Sequence, residues 1–105
     1  MQYGTDEVIL REIQKENPSF VEYIHPNLPY TKAEVVFAVR YEMTLHLEDF
    51  LSRRTRSLLL DAKASIKCSY EVAQIMAKEF GYNNDWVESE VRNFMLLAEN
   101  YLIPD

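Results

Sequence analysis

The densest chemistry in the chain is a run of guanidinium groups: Arg53, Arg54 and Arg56 stand together in the segment RRTR. A guanidinium is a planar fork of N–H donors that stays charged at physiological pH, and it suits carboxylates, carbonyls and phosphates. Two uses compete. Arginines can complement the dipole at a helix C-terminus and cover apolar surface with their stems, or they can aim at acceptors on a partner. Such runs are common on helical faces, so chemistry alone favours the first use. Just ahead stand Glu48 and Asp49, an acidic pair that a helix start takes regardless of function, and Asp49 can pair with Arg53 one turn on.

Little else qualifies. The two histidines, His25 and His46, are 21 positions apart, and neither has a cysteine or carboxylate at a metal-ligand spacing. The single cysteine, Cys68, has no adjacent base and no partner for an intramolecular disulfide, so it reads as a small buried side chain. With two glycines, Gly4 and Gly81, the sequence holds neither a dinucleotide fingerprint nor a phosphate loop. Tyr30, Phe37, Tyr41 and Trp86 fall at helical spacings and read as core. No catalytic, cofactor-binding or metal-ligating residue is assigned. A net charge of −6, from 17 acidic and 11 basic side chains, argues against nucleic acid, whose binding needs clustered cations. No apolar stretch is long enough to span a bilayer and no signal peptide opens the chain, so the expectation is a cytoplasmic protein.

The elements that carry these groups are helical. Thr5, followed by Asp6 and Glu7, can cap a first helix with Val8, Ile9 and Ile13 on one face, and Asn17-Pro18 ends it. The next dozen residues hold Pro26 and Pro29 as well as Pro18, and read as a stiff, irregular connector. Thr31 and Glu34 then form a capping box, with Tyr30 placed to staple onto Val35.

In the helix that follows, Val35, Val36, Phe37, Ala38 and Val39 cover most of the circumference. Such a helix is either the centre of the domain or lies under another domain. His46 can cap a helix carrying Leu47, Phe50, Leu51 and Leu58; Asp61 and Ser69 can cap two more. Gly81 suits a left-handed helix end, and Asn83 to Asp85 begin a last helix with Val87, Val91, Phe94, Ala98 and Leu102 in register. No segment alternates with period two. With 48% hydrophobic residues the chain can fill one core, so residues 1–105 are expected to form a single all-α domain, an irregular bundle of five to six helices.

The order of motifs carries a resemblance. Leu28 to Val35 (LPYTKAEV), Ala38 to Met43 (AVRYEM), Leu47 to Arg56 (LEDFLSRRTR) and Leu59 to Ala64 (LLDAKA) follow one another as in the C-terminal domain of FAD-dependent (aerobic) glycerol-3-phosphate dehydrogenases and alpha-glycerophosphate oxidases. Tyr41, His46 and Tyr70 depart from the usual histidine, threonine and proline, and the last change can merge two helices into one. The resemblance implies an accessory role. In the family a separate part binds FAD, oxidises sn-glycerol 3-phosphate to dihydroxyacetone phosphate and passes electrons to quinone or another acceptor. That enzyme is implied to be peripheral on the cytoplasmic membrane face.

This chain is then expected to be inactive alone and to pack on the FAD-binding catalytic domain of the same enzyme. Arg53, Arg54 and Arg56, with Val36 and Phe37 on the all-round apolar helix, are the candidate interdomain contacts. A free-standing helical interaction module derived from that domain is the alternative.

Overall fold

The computed structural model describes residues 3–101, with side chains from Asp6 onward. Helix α1 (Tyr3–Glu16) already includes Thr5, whose side chain lies outside the described residues, as does Leu102. It stops where expected. Asn17 Oδ1 accepts a hydrogen bond from Ser19 N–H at 3.0 Å, and Pro18 opens a short 3-10 turn (Pro18–Val21) at a position where no N–H is needed.

The proline-rich connector is more ordered than its composition suggested. Strands β1 (Tyr23–His25) and β2 (Leu28–Thr31) pair antiparallel, with Tyr23 opposite Thr31 and His25 opposite Leu28. Pro26 and Asn27 make the turn, and Asn27 N–H donates to His25 Nδ1 at 3.0 Å. This gives His25 a local structural partner. Pro29 is tolerated because a two-stranded ribbon has only edges. Ile24 and Leu28 are buried.

Helix α2 (Lys32–Tyr41) is the centre of the domain. On one side Ala33, Val36 and Phe37 pack with Ile13 of α1; on another, Val35 and Ala38 belong to the main core with Leu47, Phe50 and Met76. Its all-round apolar character is satisfied within the chain itself. At its start Thr31 N–H donates to Glu34 Oε2 at 2.7 Å. The reciprocal contact has capping-box placement but makes no well-formed cap bond; the Thr31 hydroxyl instead reaches the same carboxylate at 3.4 Å.

Between α2 and the next α-helix the chain does something a 3.6-residue period does not announce. Residues Asp49–Arg54 wind as a π-helix, and Thr55 N–H closes the turn onto Phe50 C=O at 3.0 Å, five residues back. The short α3 (Ser57–Leu60) follows, then α4 (Ala62–Phe80), capped by Asp61, which accepts from Ala64 N–H at 3.0 Å. Helix α4 runs unbroken through Ser69, whose hydroxyl donates back to Ile66 C=O at 2.7 Å rather than starting a new helix. The segments that Asp61 and Ser69 were expected to cap separately form one helix, which runs on through Tyr70. Gly81, at φ 77°, ends α4 in the left-handed conformation that suits glycine. Asn83 then caps α5 (Asn84–Ala98), which lies against α4, and a final 3-10 turn (Glu99–Tyr101) closes the described residues.

The architecture is thus mostly helical, with one small hairpin. No helix among the described residues is long and apolar enough to cross a membrane.

Candidate docking surface

The RRTR motif divides its work. Thr55 points inward and is almost fully buried; its hydroxyl donates to Phe50 C=O at 2.9 Å and lies 2.6 Å from Ser57 Oγ. Its carbonyl accepts from Tyr30 O–H at 2.6 Å, tying the segment to β2. With the threonine anchored from three sides, the flanking arginines are turned outward and apart.

Their roles differ. Arg53 keeps 77% of its side-chain surface exposed and pairs with Asp49 at 3.5 Å. Arg54 is 29% exposed, and its Nε donates to Glu42 Oε1 at 2.7 Å, so it staples the π-helix to the end of α2. Arg56 is exposed with φ 56°, a left-handed backbone that strains any residue with a Cβ. The three do not converge on one acceptor.

Val36 and Phe37 do not belong to this surface. They are 0% and 2% exposed, sealed by Ile13 and its neighbours on α1. Sequence spacing placed them correctly on a crowded helix but could not say which element would cover them. In their place the structure presents the loop after α2. Tyr41, Met43 and Leu45 project outward while Thr44, buried between them, donates its N–H to Ala38 C=O at 3.2 Å. Met43 is also left-handed, with φ 56°. Its side chain borders an open depression of about 430 Å³ lined by Glu42, Thr44, Asp49, Arg53 and Arg54.

Behind this loop stands a residue that sequence reading passed over. Glu90 on α5 is buried, accepts Leu47 N–H at 2.9 Å and lies 3.3 Å from His46 Nδ1, while Asp49 Oδ2 accepts His46 N–H at 3.0 Å. A signal existed. Glu90 falls between Val87 and Val91, on the apolar side of α5, where an acid needs a partner.

Two other ion networks hold the scaffold. Arg40 of α2 binds Glu16 of α1 at 2.7 Å and Glu79 of α4 at 2.6 Å. The hydrogen bond from Arg40 holds the Glu16 carboxyl below its usual range. Lys32 sits between Glu22 at 2.7 Å and Glu71 at 3.3 Å, and the Glu22 hydrogen bond raises its pKa.

Cys68 is not an activated nucleophile. Burial pushes the Cys68 thiol up to about 12, the opposite of what a reactive cysteine needs. Among the described residues no group of three His, Cys, Asp or Glu side chains could hold a metal ion. What the geometry provides is a surface.

Comparison with known proteins agrees with the motif order. Residues 1–87 match the family described as the C-terminal domain of alpha-glycerophosphate oxidase. The mitochondrial glycerol-3-phosphate dehydrogenase of Schizosaccharomyces pombe is 35% identical over 78 residues, covering 71% of this chain and 12% of that protein. Glycerol-3-phosphate dehydrogenase 2 of Mycobacterium bovis is 34% identical, over 79% of this chain and 14% of its own length. The glycerol-3-phosphate dehydrogenase of Synechocystis is 30% identical, over 84% and 16% respectively. No solved structure matches the chain. The capped α2, the RRTR segment and the start of α4 all fall inside the matched span, and on that span the chain belongs to the family of the C-terminal domain of alpha-glycerophosphate oxidase.

Proposed function

We propose that the chain is the C-terminal helical accessory domain of an FAD-dependent glycerol-3-phosphate dehydrogenase. The enzyme it serves oxidises sn-glycerol 3-phosphate to dihydroxyacetone phosphate and delivers the electrons to quinone or another acceptor. The observation that carries this reading is proportion: the chain spans only 12–16% of the length of the relatives it matches. The remaining length of those relatives is room for the chemistry that this chain does not supply.

Among the described residues, the helix starts do not fit a flavin. A flavin dinucleotide needs a glycine-rich turn that lets its pyrophosphate approach a helix N-terminus. Here the N-termini of α4 and α5 are closed by Asp61 and Asn83, and Gly81 ends a helix rather than starting one. No catalytic step is therefore assigned to this chain; its part is to fold and to dock.

A chimera tests the reading. The matching C-terminal segment of the fission yeast relative is replaced by this chain, and flavin content and dye-linked glycerol 3-phosphate oxidation are compared with the same relative truncated before that segment. The accessory role requires the chimera to regain flavin and activity over the truncated form. A chimera no better than the truncated form overturns it. The chain purified alone should be colourless and inactive, and stoichiometric bound flavin would contradict the division of labour.

A further inference from the structure

We propose that the outward face of α5 is a self-association surface, and that its occupant is a second copy of this chain lying antiparallel to the first. The proposal is independent of the accessory role above.

The helix settles which side chains share the face. Val87, Glu90, Phe94 and Ala98 of α5 are buried, on the side turned to the core. At about 100° per residue, Arg92, Met95, Leu96 and Glu99 fall within an arc of roughly 100° on the opposite side. All four are exposed, Met95 at 44% and Leu96 at 61%. Glu99 keeps helical backbone angles, φ −55° and ψ −31°, so it continues the same face. Met43 and Leu59, by contrast, are exposed on separate segments, the loop after α2 and the short α3.

The charges on this face are not engaged within the chain. Glu88 stands one turn before Arg92, yet its carboxylate accepts a hydrogen bond from the Asn84 side-chain amide at 3.3 Å. Among the described residues neither Arg92 nor Glu99 makes an ion pair or a side-chain hydrogen bond.

Their order selects the partner. In an antiparallel pair of α5 helices centred between Met95 and Leu96, these two side chains pack on their counterparts across the two-fold axis. Arg92 and Glu99 lie equally far from that centre, about 5 Å along the helix in opposite directions. Each Arg92 therefore stands opposite the other copy's Glu99, and the contact occurs twice. The remaining acids fix the register. Sliding one copy by a turn brings Glu88 opposite Glu99, two like charges. In the centred arrangement Glu88 and Asp85 instead extend past the end of the other copy's α5. A single helix face of this size falls below the roughly 1,200 Å² of a stable complex, so the association is weak and concentration-dependent.

Sedimentation equilibrium of the chain from about 10 μM to about 1 mM tests the face. Salt at about 0.15 M screens the repulsion between two chains of net charge −6 beyond about 8 Å. The average mass should rise toward that of a dimer. Arg92→Glu alone, or Glu99→Arg alone, sets like charges at both contacts and should weaken association on the order of tenfold. Both positions are exposed, so each variant should keep the wild-type helix signal. An equimolar mixture of the two variants should regain association, because the mixed pair again places opposite charges at both contacts. A wild type that stays monomeric throughout overturns the proposal. So does a dimer indifferent to either substitution, or a mixture that stays as weak as its components. If Leu96→Asp removes flavin from an active chimera while the chain alone is monomeric, the face belongs to the catalytic part. The proposal then falls and the accessory role stands.

Discussion

Glu90 Oε1 on α5 accepts the backbone N–H of Leu47 at 2.9 Å, so a side chain 43 residues away satisfies the first turn leading into the π-helix. Both groups are withdrawn from water, and a backbone donor left buried without an acceptor costs more than an exposed hydrogen bond contributes. Glu90→Ala should therefore destabilise the chain by about 1.5–3 kcal/mol. Glu90→Gln, whose amide oxygen can still accept, should cost clearly less. Urea denaturation of the three proteins checks the order; equal midpoints for Ala and wild type would mean that the loop finds another acceptor.

At the start of α2 the two halves of the capping box are unequal. Glu34 makes the short bond, to Thr31 N–H at 2.7 Å, while the Thr31 hydroxyl makes only a 3.4 Å contact. The short bond is the one Glu34 makes. Glu34→Ala should cost about 1 kcal/mol and Thr31→Ala about 0.5, near the low end of the capping range. Denaturation midpoints that rank them the other way would restore the threonine.

Where residue type dictates local conformation, the sequence was legible. Asn17-Pro18, Asp61, Gly81 and Asn83 each stop or start a helix at the expected place, because a cap or a left-handed glycine acts within a few residues. The hairpin at Tyr23–Thr31 was not legible: strands of three and four residues are too short to show alternation, and the prolines masked them. The π-helix was hidden for a different reason. Leu47, Phe50 and Leu51 keep an apolar spacing that an ordinary helix also satisfies, and the extra residue per turn follows from anchoring Thr55.

The candidate docking residues divide along the same line. That arginines would be outward could be read; that Val36 and Phe37 would be covered by Ile13 depends on a contact between separate helices. The pairing of Arg54 with Glu42 is equally non-local, since it depends on how the chain folds back after α2.

Two carboxylates contribute to the acid response. Asp61 is held below its usual range chiefly by the hydrogen bond from Ala64 N–H, and Glu16 chiefly by the hydrogen bond from Arg40. Since each folded pKa lies below its unfolded value, the stabilisation is fully present above about pH 5 and is lost as pH falls through the folded value. Asp61→Asn keeps a competent helix cap but removes the titration. Its melting temperature should fall less steeply than that of wild type below about pH 4. Parallel curves would mean that Asp61 contributes no pH dependence.

Cys68 should be silent toward thiol reagents in the native chain. It is buried, its Sγ lies 3.4 Å from Ser65 C=O, and its pKa is pushed up to about 12, so almost no thiolate forms at neutral pH. Labelling should follow global unfolding and rise across the same urea range as loss of helix signal. Rapid labelling in native buffer would show that α4 opens locally around Cys68.

The three arginines should separate by measurement because the backbone has given each a different task. Arg54→Ala breaks the 2.7 Å pair with Glu42 and removes a partly buried stem, which together should cost about 1 kcal/mol. A double-mutant cycle with Glu42→Ala should return a coupling of about 0.2–1 kcal/mol, the range for a pair still open to solvent. Arg53→Ala should stay within about 0.5 kcal/mol of wild type, since its contact with Asp49 is long and exposed. Arg56→Gly should leave stability unchanged or raise it by up to about 1 kcal/mol, because glycine accepts φ 56° without strain while adding freedom to the unfolded chain. Thermal and urea denaturation of the isolated chain give all three values. If Arg53→Ala proved as damaging as Arg54→Ala, its guanidinium would be holding the domain together, leaving less of it free for a partner.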